Sequence, residues 1–541
     1  MSWEHAPTIG AALADMAQLR PSASALETGG DPPLTYQALH LEAEQIALRL
    51  LALGLRRSQA VLVVCRTRAR VPALVHGVLL AGGVVVSIEP ATPPVQLRTL
   101  VERAHVALAM GDPDFLDWLA PKLVEPLNPL RPQDPHVAVI DDAPPIMAPF
   151  DAPDTVRAPT DRIAFVIFTS GSTGVPKGVL LSHGNMLRAA RRMTEVRAHR
   201  PSDRHLSYLS FAHLAELFMS VVLPTVAGYS VVFPRGRRLT EAVAAVRPTF
   251  FMGVPAEWQT LATAASSLHG EAHEVRTMLG LERVRLALST GAPLAIEAQR
   301  ALLALGIPVH EMYGMTETSG ASTYNAPGDS VMGAVGKALP GSRVEVDDTG
   351  EILLFGDGFR CVGYLDDPAA TAALFVGDDG VRTGDLGRIE NGFLHITGRR
   401  KDLLVLSTGK KVHPASLEAR LAALPGVRHA AVFGEGHAHL VAVLDAISDP
   451  RLRTALMTPD ELRAHLTTHV RRLNEVLGRH ERIVAVGIAP QPFSVPSGEL
   501  TPSLKVRRDQ VRERHRGLID ALLSRASGSS SNGDILRFED V

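Results

Sequence analysis

The sequence predicts an α/β fold with a large N-terminal domain of mostly parallel sheets flanked by helices, a hinge, and a small α+β C-terminal domain. Short β-branched runs, such as residues 61–64 and 84–88, alternate with helical patterns from about residue 10 to beyond residue 300. A chain of 541 residues is also too long for one hydrophobic core. A charged run at 399–402 interrupts the apolar pattern, and a new small unit follows it.

We therefore predict a large domain at 1–398, a hinge at 399–402, a small mobile domain at 403–525 and an unstructured Ser/Gly-rich tail at 526–541. Two long apolar stretches, 71–90 and 217–233, contain His76, Pro224 and Gly228, so each predicts a helix followed by a buried strand and not a membrane span. The other predicted elements are an exposed connection at 142–159, strands at 403–406, 430–433 and 440–444, and helices at 416–424 and 459–477.

Composition excludes several classes of function. A net charge of −2 gives no reason to expect nucleic acid as a partner. Cys65 and Cys361 are far apart and show no CxxC spacing, which argues against disulfides and cysteine metal sites. The N-terminal residues carry no export signal, so we expect a cytoplasmic protein without a transmembrane span. Contact with a membrane surface stays open.

The most informative motif lies between two predicted strands and reads Phe-Thr-Ser-Gly-Ser-Thr-Gly-Val-Pro-Lys-Gly at 168–178. Glycines let backbone N–H groups turn toward an anion, hydroxyls add donors, and a lysine supplies a mobile positive charge. The lysine is not followed by Ser or Thr, so this is not the Walker pattern. The motif predicts a polyphosphate-binding loop formed by Thr169, Ser170, Gly171, Ser172, Thr173, Gly174 and Lys177.

Lysine usage points to the same kind of chemistry. The chain has 7 lysines against 48 arginines, so a lysine marks places where a compact, flexible ammonium is needed. Lys177, Lys401 and Lys505 stand out for this reason. Lys505 is the last lysine of the chain and ends the segment Glu-Leu-Thr-Pro-Ser-Leu-Lys at 499–505.

Further motifs follow in order: Ser-Thr-Gly-Ala-Pro-Leu at 289–294, Glu-Met-Tyr-Gly-Met-Thr-Glu-Thr at 311–318, Thr-Gly-Asp-Leu-Gly at 383–387 and Gly-Arg-Arg-Lys-Asp at 398–402. With the 168–178 loop and the 499–505 segment, they resemble the adenylate-forming superfamily of acyl-CoA synthetases, peptide-synthetase adenylation domains and luciferases. The resemblance covers roughly residues 10 to 520.

The resemblance implies roles for individual residues. ATP would lie beside the turn of Gly291, Ala292 and Pro293 and beside Glu311, Met312, Tyr313 and Gly314. It implies that Thr316 contacts the α-phosphate, Glu317 ligates Mg²⁺, Asp385 accepts the ribose hydroxyls and Arg399 contacts ribose or phosphate. Lys505 would be the catalytic lysine. Rotation at Lys401 would then exchange it for the loop of Gly409 and Lys410.

The implied reaction joins ATP and a carboxylic acid to an acyl-adenylate and pyrophosphate, after which a thiol such as CoA attacks. Amino-acid-activating relatives carry an aspartate where this chain has Phe211-Ala-His-Leu-Ala-Glu216, and a buried ammonium without a counter-charge is costly. The segments at 206–216, 246–255 and 500–508 resemble long-chain fatty acyl-CoA synthetases, with His213 as an acyl-pocket gate. A specialised or aryl acid, an acyl carrier protein as acceptor, and a catalytically silent nucleotide-binding relative remain alternatives.

Overall fold

The computed structural model describes residues 6–29, 31–65, 68–88, 92, 94–112, 116, 124–126, 136–139, 159–169, 176–196, 199–234, 238–424, 426–446, 459–501, 506–527 and 537–539. It confirms the α/β fold, because two large sheets rich in parallel strands are flanked by helices and a smaller C-terminal region follows. The predicted connection at 142–159 lies outside the described residues, apart from Pro159.

Nine strands of the described part of the chain form the first sheet. Four neighbouring strands at its centre run parallel, so their carboxyl ends meet at one edge. Three of these four are buried over their whole length or nearly so, as expected for parallel strands covered on both faces. The spatial order is Lys337–Ala338, Gly320–Tyr324, Val309–Met315, Leu286–Ser289, Phe250–Gly253, Arg204–Leu206, Ser230–Phe233, Ser24–Thr28 and Leu34–Thr35.

The second sheet contains the strands predicted around residues 61–64 and 84–88, and both predictions are confirmed. Its antiparallel pair Ile163–Thr169 and Lys177–Ser182 flanks the predicted phosphate loop. In spatial order its described strands are Gly363–Tyr364, Lys177–Ser182, Ile163–Thr169, Val84–Ser87, Ala60–Val64, Val106–Gly111, His136–Val139 and Val124–Pro126.

Helices cover both sheets, and the two long apolar stretches divide as predicted. The first forms Val71–Leu80 and then the strand Val84–Ser87. The second turns at Gly228 into the strand Ser230–Phe233. No helix in the described ranges combines the length and apolarity needed to cross a membrane. The helices of this part are Ile9–Leu19, Tyr36–Ala52, Val71–Leu80, Pro94–Arg103, His183–Glu195, Leu214–Leu217, Phe218–Val222, Pro224–Ala227, Leu239–Val246, Pro255–Ser266, Ala272–Leu279, Ile296–Ala304 and Pro368–Leu374.

A third, antiparallel sheet leads to the predicted hinge. Its strands are Ser342–Val346, Glu351–Gly356, Phe375–Val376, Gly380–Glu390 and Phe393–Arg399. The last of these strands ends at Arg399, and the 3₁₀ turn Arg400–Asp402 follows directly. The hairpin Leu404–Val405 with Lys411–Val412 comes next.

The C-terminal region contains the predicted elements with small shifts at their ends. Its strands are His429–Phe433, Leu440–Asp445, Ile483–Ile488 and Arg537–Glu539, and its helices are Pro414–Ala422, Pro459–Glu475, Arg508–Arg514 and Arg516–Ser527. The first helix begins two residues before its predicted start because a proline fits the first helical turn.

One expectation about the C-terminus is wrong. Residues from 526 onward were expected to be unstructured, yet the last helix continues to Ser527 and Arg537–Glu539 pairs in parallel with Ile483–Ile488. The Ser/Gly-rich residues 528–536 lie outside the described part. The Ser/Gly bias that predicted an unstructured tail ends before residue 535, and the exposed edge of a strand offers unpaired N–H and C=O groups to such a segment.

Candidate functional site

The predicted site residues follow the carboxyl ends of adjacent parallel strands. The turn at 291–293 comes after Leu286–Ser289, and Thr316 and Glu317 come after Val309–Met315, its neighbour in the first sheet. In the second sheet the phosphate loop follows Ile163–Thr169. Ligands of open α/β sheets bind outside such strand ends, so this edge is where a nucleotide is expected.

Lys177 is brought close to the predicted metal-binding carboxylate by one tyrosine. The Lys177 Nζ atom lies 4.9 Å from the centre of the Tyr364 ring and 3.8 Å from Asp367 Oδ2. The Tyr364 hydroxyl donates a hydrogen bond of 2.8 Å to Glu317 Oε1. The phosphate-loop lysine and Glu317 therefore share a neighbour. Thr169 is half-buried at the start of the loop, whereas Ser170, Gly171, Ser172, Thr173 and Gly174 lie outside the described residues.

Glu317 is 7% exposed, and burial raises the pKa of its carboxyl, while the hydrogen bond from Tyr364 acts in the opposite direction. Its backbone carbonyl accepts the N–H of Cys361 at 2.7 Å, which fixes the turn that carries Thr316. Among the described residues, no group of three or more His, Cys, Asp or Glu side chains is arranged to hold a metal ion by itself. One carboxylate fits Mg²⁺ in a nucleotide site, since this ion takes most of its other ligands from phosphates and water.

The 291–293 turn is exposed and is held from below by Glu311. The two carboxylate oxygens of Glu311 accept hydrogen bonds from the Leu294 N–H at 2.9 Å and the Gln299 side-chain amide at 2.7 Å. Burial raises the pKa of Glu311 to about 7, against the lowering effect of these two bonds. Glu311 therefore supports the turn of Gly291, Ala292 and Pro293 from the buried side of the turn.

The strand Val309–Met315, which contains Glu311, approaches its neighbour closely. A Cβ atom at position 314 would lie 1.9 Å from the Gly320 carbonyl oxygen, so only glycine fits at Gly314. Met312 is buried, and its carbonyl accepts the Thr290 hydroxyl at 3.2 Å. This contact ties the start of the 291–293 turn to the 311–318 motif.

Asp385 forms the centre of a three-residue contact. Its carboxylate accepts the Tyr313 hydroxyl at 2.8 Å and lies 2.9 Å from the Arg399 Nε atom. Burial and the Asp385 charge both raise the pKa of Tyr313, so its hydroxyl stays a donor. Asp385 is 6% exposed and Arg399 is half-exposed, which places the carboxylate at the wall of the site and the guanidinium at its surface.

Glu351, which lies in none of the predicted motifs, holds the turn before Asp385. Gly384 adopts φ = +68°, and its N–H donates to Glu351 at 3.0 Å. The same buried carboxylate pairs with Arg400, at 3.0 Å, in the first turn after Arg399. Glu351 thus joins the Asp385 turn to the predicted hinge.

The remaining predicted residues lie on either side of that hinge. Lys401, Gly409 and Lys410 are exposed. Lys505 lies outside the described residues, but the ends of its segment are ordered: Leu500 pairs with Val506, and the Arg507 N–H donates to the Glu499 carbonyl at 2.8 Å.

His213 stands immediately before the helix Leu214–Leu217 and is half-buried. Its neighbours Phe211 and Leu214 are buried and apolar, and the Phe211 ring stacks on Phe233 with 6.3 Å between centroids. This segment follows a strand of the first sheet at the same edge as the 291–293 turn. His213 therefore lies at the same edge of the first sheet as the predicted nucleotide site.

Sequence reasoning missed the partners that hold the predicted residues in place. Tyr364, Asp367 and Gln299 each contact a predicted site residue, and Glu351 contacts Gly384 in the turn before Asp385. Tyr364 and Asp367 lie in Gly-Tyr-Leu-Asp-Asp-Pro at 363–368, a turn-like segment that could have signalled them.

Two family models match this chain. An AMP-binding enzyme model matches residues 13–359, and an AMP-binding enzyme C-terminal domain model matches residues 401–527. FadD11 of Mycobacterium tuberculosis, whose name describes a fatty-acid–CoA ligase, is 30% identical over 434 residues, or 69% of this chain and 76% of the relative.

Two further proteins cover more of the chain. The long-chain-fatty-acid–CoA ligase FadD15 of M. tuberculosis is 27% identical over 550 residues, or 88% of this chain and 90% of the relative. The anthranilate–CoA ligase AuaEII, in complex with anthranoyl-AMP, shares the fold with a TM-score of 0.75 at 20% identity, over 96% of this chain and 98% of that structure. The chain belongs to the AMP-binding enzyme family and is an acid–CoA ligase.

Proposed function

We propose that this enzyme activates a medium- or long-chain fatty acid with ATP and then transfers the acyl group to CoA. The acid carboxylate would attack the α-phosphate, forming acyl-AMP and releasing pyrophosphate. The CoA thiol would then attack the acyl carbon and release AMP. Family membership supports ATP as the nucleotide.

The observation that carries the proposal is the convergence of Lys177, Glu317 and Asp385 at one edge of the two large sheets, through contacts with Tyr364 and Tyr313. A lysine, a buried carboxylate and a second carboxylate are suited to the outer phosphates, a metal ion and the ribose hydroxyls, in that order. Bound Mg²⁺ would neutralise phosphate charge during the displacement.

Lys505 is proposed as the residue that brings the two reacting anions together. An ammonium between a carboxylate and the α-phosphate reduces their repulsion and stabilises charge that grows in the transition state. We further propose that Lys401 is the hinge and that Gly409 and Lys410 approach the site for the thiol step. The exposed position of Lys401, in the 3₁₀ turn that follows the strand ending at Arg399, supports this role.

A fatty acid is supported by two observations. No aspartate lies in the Phe211–Glu216 segment to hold an α-ammonium, and Phe211 and Leu214 offer an apolar surface instead. The relatives FadD11 and FadD15 are named for fatty acids. An aryl or specialised acid is the second candidate, because AuaEII is named for anthranilate and residues 379–383 here lack a tryptophan that the wider family often carries.

The test is pyrophosphate release measured over a panel of fatty, hydroxylated and aryl acids, with and without CoA. Acyl-CoA formed from fatty acids with a higher kcat/KM than from aryl acids supports the proposal. Aryl preference would support the second candidate. Acyl-AMP that accumulates with CoA and is consumed only with an acyl carrier protein would overturn CoA as the acceptor, and silence toward every acid would overturn the activity itself.

A further inference from the structure

A buried carboxylate outside the nucleotide site organises the segment that follows Arg204–Leu206. Glu216 is 1% exposed. One of its oxygens accepts the Ser207 hydroxyl and the Ser220 hydroxyl, the latter at 2.6 Å, and the other accepts the Leu209 N–H at 2.9 Å. A buried carboxylate is costly unless it is paired. These bonds hold Ser207 and Leu209, at the start of the 207–213 segment, against the helix that carries Glu216.

The positive partner of Glu216 comes from the other large sheet. The Arg68 Nη2 atom lies 3.3 Å from Glu216 Oε1 and donates to the Ser207 hydroxyl at 2.9 Å. The guanidinium carbon lies 4.8 Å from the centre of the Phe211 ring, within cation–π range. Arg68 follows Ala60–Val64, whereas Glu216 follows Arg204–Leu206, so one ion pair joins the carboxyl ends of both sheets.

In each of the two large sheets, one strand separates the Arg68–Glu216 pair from the strand that precedes a predicted nucleotide-binding motif. In the first sheet, Phe250–Gly253 separates Arg204–Leu206 from the strand before the 291–293 turn. In the second sheet, Val84–Ser87 separates Ala60–Val64 from the strand before the phosphate loop. Two strand spacings correspond to about 10 Å. The pair thus lies about two strand spacings from the expected nucleotide site in both sheets, at the same edge as the segment that contains His213.

The backbone is also irregular at this point. The helix that begins at Leu214 passes into a π-helical turn at Phe218–Val222, in which the Leu223 N–H donates to the Phe218 carbonyl at 2.8 Å. This turn carries Ser220, one of the donors to Glu216. Such turns are rare and are frequent at functional sites.

We propose that Arg68 and Glu216 are positioning residues for the acid substrate, which hold residues 207–213, with Phe211 and His213, as one wall of the acid pocket. This inference rests on the proposed function, because it assigns a wall to the pocket of that same reaction. Removing one member leaves the other charge without its partner and frees the segment. Acid binding would then weaken while ATP binding stays intact.

The test compares Glu216→Gln, Arg68→Met and the double variant in steady-state kinetics with dodecanoic acid and with ATP. Each single variant is expected to raise the KM for the acid by about tenfold or more, because charge-assisted bonds are lost. The KM for ATP is expected to stay within about twofold. Because the two residues act as a unit, the double variant should raise the KM for the acid no more than the single variant with the larger effect.

Glu27→Gln is the matched control. Glu27 and Arg204 form an ion pair of 2.7 Å at the amino end of the same strand, on the edge away from the site. This variant is expected to leave both KM values unchanged. Thermal unfolding of each variant identifies any that fails to fold. If Glu216→Gln fails to fold, the test uses Arg68→Met and Ser220→Ala, which removes one donor to Glu216.

The inference is overturned if the wild type is active and both single variants keep the wild-type KM for the acid. Equal rises in the KM for acid and for ATP would also overturn it, because they would indicate a general loss of structure. A wild type that is silent toward every acid would overturn the proposed function, and this inference with it.

Discussion

Replacing Asp385 with Asn tests the proposed ribose contact. The carboxylate of Asp385 accepts the Tyr313 hydroxyl and pairs with Arg399. Asparagine keeps one acceptor oxygen but loses the charge and presents an amide donor to one of these two donors. Hydrogen bonds that involve a charged group contribute about 1.5–3 kcal/mol each, so losing one such contact to ribose predicts a fall in kcat/KM for ATP of about 10- to 150-fold.

A second variant separates the two partners of Asp385. Tyr313→Phe keeps the Asp385 charge and its Arg399 pair and removes only a bond that orients the carboxylate, so a smaller effect on ATP, about 1 kcal/mol or roughly a fivefold fall in kcat/KM, is expected. Pyrophosphate release under varied ATP and saturating acid measures both effects. Asp329→Asn, in an exposed ion pair with Lys337, should change nothing. Equal losses for ATP and for the acid in Asp385→Asn, or no loss, would refute the reasoning.

Three further predictions concern the metal, the hinge and pH. Glu317→Gln should raise the Mg²⁺ concentration for half-maximal activity by about tenfold or more, since a neutral amide binds a hard cation weakly; an unchanged Mg²⁺ dependence would contradict the metal assignment. Lys401→Pro should impair the thioester step more than acyl-AMP formation, because proline fixes φ at the hinge, and equal loss in both half-reactions would count against rotation there. Between pH 7 and pH 5.5, Glu311 takes up a proton on folding, because its pKa is about 7 in the native state against 4.5 in the unfolded chain, and this uptake stabilises the wild type as the pH falls. Glu311→Gln removes that gain, so the free energy of unfolding, measured in urea, should fall by about 1–2 kcal/mol more over this pH range than in the wild type. The stability loss itself arises from buried imidazoles, because burial lowers their native pKa values from 6.5 to about 3 or about 4. In this pH window only the unfolded chain binds their protons. These residues are His76, His183, His199 and His205. A smaller acid-side loss in Glu311→Gln than in the wild type would contradict the sign.

The sequence predicted the fold well where local pattern and packing agree. The β-branched runs at 61–64 and 84–88 and the break at Gly228 are strong local signals, and the strands and turn lie where they were expected. The strand at Arg537–Glu539 was missed, because its formation depends on a distant edge, Ile483–Ile488, and not on its own Ser/Gly-rich surroundings.

The candidate site likewise divides into residues that local motifs predict and partners that depend on distant parts of the chain. Motifs predicted Lys177, Glu317 and Asp385 as site residues, because their residue types match phosphate, metal and ribose chemistry. Their partners were not predictable in this way: Glu351 contacts Gly384 from 33 positions away, and Tyr364 contacts Glu317 from 47 positions away. A contact across that distance exists only after the sheets have formed, so a motif cannot reveal it.

Formation of an acyl-adenylate from a fatty acid is the central step of the proposed function. The decisive measurement is mass-spectrometric detection of acyl-AMP after the wild type and Lys505→Ala are incubated with ATP, Mg²⁺ and dodecanoic acid in the absence of CoA. Dodecanoyl-AMP is expected with the wild type, and little or none with Lys505→Ala. Equal amounts with both enzymes, or none with the wild type, would contradict it.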